Sequence, residues 1–134
     1  MAGHEPLSAD EFARRHRLAD RIVGELRRAG LPAHLFDLSD RRPGAAVAVE
    51  KEASEPSSVW VNWYVDPDLA RAAEDAILHS RFDSFEARHR GRIAVQMGES
   101  IAGILRSAGF RTEVGVDDIS PTTVYVVGDN ESGD

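Results

Sequence analysis

The sequence predicts an α+β domain: a two-layer sandwich in which a mostly antiparallel sheet of four to five strands carries two long helices on one face, in the order α-β-β-β-α-α-β-β. Three observations lead there. Two long segments repeat apolar residues at helical spacing and each ends in Ala-Gly. One run, Val59-Trp60-Val61-Asn62-Trp63-Tyr64-Val65, has the β-branched and aromatic content of a strand, and Gly, Pro and Asp punctuate the stretches between. A length of 134 residues suits a single domain, expected over 1–128, with an acidic disordered tail at 129–134.

Ser8-Ala9-Asp10-Glu11 fits a capping box, so a helix is expected from about 9 to 29, with Phe12, Ala19, Ile22, Val23, Leu26 and Ala29 recurring along it. Gly30 followed by Leu31-Pro32 stops it. Ala33 to Leu38 reads as a short strand, Asp40 to Gly44 as a turn and Ala45 to Glu50 as a strand of small residues. Glu52 to Ser58 is a loop before the strand at 59–65. Asp66-Pro67 supplies an N-cap and a proline at the first helical position for a short helix ending near Leu78. A longer helix is expected over about 84–108, with Ala94, Met97, Ile101, Ile104, Leu105 and Ala108 on one face and Gly109 at its end. Phe110 to Val116 and Thr122 to Val127 complete the sheet as a hairpin, turning through Asp117, Asp118 and Pro121.

Ile22-Val23-Gly24-Glu25-Leu26-Arg27-Arg28-Ala29-Gly30 matches Ile101-Ala102-Gly103-Ile104-Leu105-Arg106-Ser107-Ala108-Gly109 at an offset of 79, with six of nine positions identical. The same offset places Val47 on Val126, as an internal αββ repeat would. Two amphipathic helices ending in Ala-Gly would also look alike without one, and Ala13-Arg14-Arg15-His16-Arg17 resembles Ala87-Arg88-His89-Arg90 only at another offset. A helical wheel turns Gly24 and Gly103 away from the apolar faces of their helices. Such glycines are candidates for close approach by a second chain.

Composition removes several functions. With no cysteine there is no disulfide, thiolate metal site or cysteine nucleophile. No run approaches the roughly 20 apolar residues of a membrane span, and the start of the chain lacks a signal-peptide pattern, so the expected location is the cytoplasm. A net charge of −7 opposes general attraction to nucleic acid or anionic lipid. The five histidines show no metal-ligand spacing, and phosphate-loop, dinucleotide and nucleophile-turn motifs are absent from the sequence, so no catalytic residue, metal or cofactor is assigned.

The residues that remain are surface candidates. Alternation sends Val59, Val61, Trp63 and Val65 one way and Trp60, Asn62 and Tyr64 the other, so both faces of this strand need covering. Asp66 and Asp68, and Asp117 and Asp118, are carboxylate pairs that caps and turns explain. Arg14, Arg15, Arg17 and Arg21, and Arg81, Arg88, Arg90 and Arg92, interleave with acids as on solvated helix faces; a phosphate or acidic partner is the other reading. The order helix, three strands, helix is similar to that of a double-stranded-RNA-binding domain, and resembles that of small acidic secretion-chaperone domains, which are dimers that bind other proteins. No motif carries either resemblance.

The function expected is a non-enzymatic protein-binding module, such as an adaptor, regulator or immunity-type protein, acting as a homodimer through Trp60, Asn62 and Tyr64 or through Gly24 and Gly103. The alternative is a small-molecule-binding domain or small enzyme with a pocket between sheet and helices that uses Trp60, Asn62, Tyr64 and a carboxylate.

Overall fold

A computed structural model describes residues 7–51, 59–115 and 121–129. Three helices form where the sequence supplies starts and stops. In α1 (Ala9–Arg28) the Ser8 hydroxyl oxygen accepts the Glu11 N–H at 3.1 Å, and Asp10 and Glu11 sit at the positive end of the helix, Arg27 and Arg28 at the negative end. The other half of a capping box does not close on Ser8; the Glu11 carboxylate instead accepts from Arg14 and Arg15 at 2.9 and 2.8 Å. Asp66 caps α2 (Pro67–Leu78) by accepting the Asp68 N–H, and Ser84 caps α3 (Phe85–Ser107) by accepting that of Ala87.

Five strands, β1 (Ala33–Leu35), β2 (Gly44–Val49), β3 (Val59–Tyr64), β4 (Phe110–Val114) and β5 (Val124–Asp129), make one sheet in the order β1-β2-β3-β5-β4. β1 runs parallel to β2, and every other pairing is antiparallel. β1 stops at Leu35 rather than continuing to Leu38 because Asp37 turns the chain, its carboxylate accepting the N–H and hydroxyl of Ser39. Gly44 opens β2 with φ +118°, and a β-carbon there would lie 2.7 Å from the Pro32 carbonyl oxygen, so the crossing at the β1–β2 start requires glycine. β5 begins two residues later than expected and reaches Asp129, where it still pairs with Phe110. Residue 129 therefore belongs to the sheet, while the expected loop at 52–58, the turn acids Asp117 and Asp118, and positions 130–134 of the tail lie outside the described residues.

The core lies on one face of the sheet. Ala45, Val47, Val59, Val61, Val124 and Val126 meet Leu18, Ala19, Ile22, Val23 and Leu26 of α1 and Ile101, Ala102 and Leu105 of α3. Each of these helices is antiparallel to the edge strand it feeds. In α3 the expected apolar face is half right: Ile101 and Leu105 are buried and Ile104 packs against the core, but Ala108 is exposed and Gly98 and Ala102 take part. α3 buries nothing fully before Gly98, and α2 packs on α3 rather than on the sheet, burying only Ala73 and Ala76. A strand of six residues is about 20 Å long and a helix of 23 about 34 Å, so α2 and the first half of α3 extend past the sheet as a helical arm.

The two similar segments end alike. Gly30 and Gly109 take φ +94° and +102°, and in the last turns Arg27 donates to the Ala33 carbonyl at 2.8 Å and Arg106 to that of Thr112 at 3.1 Å. The correspondence stops there, since β1 is parallel to its neighbour and β4 antiparallel to its own.

Candidate functional site

Register places Trp60 between Ala48 on one side and Tyr125 on the other, Asn62 beside Ala46, and Tyr64 beside Gly44. These side chains lie on the face turned away from α1 and α3, which pack over Val47 and Val61, and α2 packs on α3. The small residues of β2 leave a trough between β1 and β3, and Phe36, just beyond β1, leans across it. Its ring centroid is 5.7 Å from that of Trp60 and 6.4 Å from that of Tyr64, and Ala46 and Ala48 are buried beneath. Asn62 is drawn into the sheet's own bonding, its side-chain oxygen accepting from the Thr123 hydroxyl at 2.7 Å. The result is an aromatic layer, half-buried, on a sheet face free of described helices.

Asn62 and Tyr64 line none of three clefts at the sheet margins, whereas Trp60 walls one that α1 helps to form. One of about 730 Å³ follows the β1 edge and is lined by Asp20, Arg27, His34, Asp37 and Arg42, carrying both signs of charge. Another of about 490 Å³ opens where β2 outruns β1, walled by Phe12 and His16 of α1 and by Leu35, Phe36, Val49 and Trp60. A third of about 460 Å³ lies between α3 and the segment at Pro121 and Thr122.

Gly24 and Gly103 are exposed on the outer side of the helical layer, with no atom within 4 Å of where a β-carbon would stand, so the structure brings neither near the aromatic layer. Several of the clustered arginines are drawn into local contacts. Arg14 and Arg15 hold Glu11, buried Arg15 also donates to the Glu50 carbonyl, the Arg21 guanidinium lies 5.2 Å from the Phe110 ring centroid, and Arg81 pairs with Asp75. The Arg14 and Arg15 hydrogen bonds hold the Glu11 pKa down at about 2. No group of three His, Asp or Glu able to hold a metal occurs among the described residues, and no helix there is long and apolar enough to cross a membrane.

No family model, curated protein or solved structure matches this chain. What the site can do is therefore read from its geometry alone.

Three features escaped the sequence reading. Phe36 completes the aromatic layer; the signal was its phase with His34, on the same side of β1. Gly98 lets the Thr122 backbone approach α3, where a β-carbon would sit 2.9 Å from the Thr122 carbonyl oxygen. At the tip of the arm Leu78, Phe82 and Phe85 are exposed together, and their crowding within eight residues around a helix stop was visible in the sequence.

Proposed function

We propose that this chain is a non-enzymatic protein-binding module that works as a homodimer and docks a partner protein on the aromatic layer of its sheet. The observation that carries the reading is the layer itself. Phe36 bridges Trp60 and Tyr64 over buried alanines, on the face opposite the helices. Tryptophan and tyrosine present large, rigid apolar area with a polar handle, which is the chemistry enriched where proteins anchor one another. The partner this surface fits is a protein segment offering apolar side chains. Asn62, tied to Thr123, contributes orientation rather than reaction chemistry.

A photo-crosslinking residue placed at position 64, with a control at exposed Gly91, tests the reading in the native host. A discrete adduct from position 64 that disappears with Trp60→Ala is expected. Equal, diffuse labelling from both positions would sink the proposal.

A further inference from the structure

Among the exposed large apolar side chains of the described residues, Leu38 and Val95 stand apart along other clefts, and most of the rest fall in two places. Phe12 and Leu35, 42% and 39% exposed, flank the 490 Å³ groove at the β1–β2 edge; Leu78, Phe82 and Phe85, 81%, 65% and 66% exposed, crown the turn between α2 and α3. The first site is concave and the second convex. They lie at opposite ends of the molecule. β2 and β3 pair Gly44 with Tyr64 and Val49 with Val59, so α2 leaves from the Gly44 end, and the groove, lined by Val49 and Glu50, is at the other. One copy cannot bring its own tip to its own groove without unfolding the arm.

We infer that two copies of this chain pair antiparallel about a two-fold axis, each seating its arm tip in the edge groove of the other. This rests on the homodimer reading above and names its surface, which takes the Phe36 and Trp60 end of the aromatic layer and leaves the Tyr64 end to the partner protein. A concave and a convex site at opposite ends are satisfied together when the second copy is reversed, which closes the assembly at two rather than leaving an open chain. Phenylalanines about two-thirds exposed offer roughly 100–160 Å² each, so two tips in two grooves bury on the order of 1,000 Å² in all, the lower range of specific interfaces.

Charge agrees. Segment 66–97, which contains the arm, carries six carboxylates and five arginines, close to neutral in a chain of net −7, so its approach to a second copy is little opposed. The groove carries Lys51 beside Glu50 and the tip Arg81 beside Asp83 and Glu86, so each side offers both signs and neither repels the other as a block.

Light scattering tests the pairing on the full chain, with circular dichroism as the folding check. Wild type is expected at twice the chain mass. Phe82→Glu with Phe85→Glu, and separately Phe12→Glu, should each give a folded single chain, and because a mixed pair keeps only one of its two contacts, about half the buried area, any association on mixing should be weaker than that of wild type. A wild-type dimer that survives the tip variant, or that Tyr64→Asp alone dissociates, overturns the inference while leaving the homodimer reading in place. A wild-type monomer overturns both.

Discussion

His34 is 5% exposed, and its Nε2 has no hydrogen-bond partner among the described residues. Burial pushes its pKa below the ordinary 6.5, the nearby charges of Arg42 and Arg27 push the same way, and Asp40 opposes them. The folded state therefore holds His34 neutral at a pH where the unfolded chain has begun to take up a proton. Stability from this residue is complete above 6.5 and is lost as pH falls below it. Urea titrations across that range should show the midpoint falling in wild type and falling less in His34→Gln; equal slopes would exclude His34 as the source. Glu11 acts in a separate, more acid window. Arg14 and Arg15 hold its pKa at about 2 against an ordinary 4.5, so its contribution is present above 4.5 and fades between those values. Glu11→Gln should flatten that acid limb alone and leave the limb near neutrality unchanged.

Two of the three glycines in helix α3, five residues apart, ask for opposite treatment. At Gly98 an added methyl would press the Thr122 carbonyl oxygen, whereas at Gly103 nothing lies within 4 Å. Gly98→Ala should therefore destabilise by about 1–3 kcal/mol through a backbone shift. Gly103→Ala should stabilise by roughly 0.5–1 kcal/mol, because alanine loses less backbone freedom in a helix. Chemical denaturation of the two variants decides this, and a shared sign would mean that the packing around α3 is misread. The same contrast shows what was legible. Ser8 and Asp66 announce their helices because a cap is a local hydrogen bond, and the alternation in β3 announces its two faces for an equally local reason. The parallel pairing of β1 with β2, the bend of Phe36 over the alanines and the need for Gly98 all depend on residues distant in sequence, and no window of neighbours contains them. Arg27 and Arg106 fall between these cases: their place in the last helical turn is local, but their bonds to carbonyls of the two edge strands emerge only once the sheet exists. Each occupies a backbone acceptor that an added strand would otherwise use.

Across the whole molecule the sheet divides two kinds of apolar surface. Val47, Val61 and Val124 are fully buried against α1 and α3, while Trp60 and Tyr64 keep part of their surface open on the far side. A side chain retained for folding and one retained for docking respond differently to truncation. Val61→Ala removes two methyl groups from a close-packed layer and leaves a void, at a cost of about 1–3 kcal/mol. Tyr64→Ala sheds a larger side chain, but one whose solvent-facing portion contributes nothing to folding; its loss should cost no more than Val61→Ala despite the greater area removed. Binding should reverse the ranking. Once the partner is identified by crosslinking, Tyr64→Ala should weaken its affinity at least tenfold, about 1.4 kcal/mol, and Val61→Ala should leave the affinity of the folded fraction unchanged. Thermal melts paired with calorimetric titration on the same two proteins separate the roles. If Tyr64→Ala proves the more destabilising and leaves affinity intact, the aromatic layer is a second small core, and the protein-binding reading of this face fails.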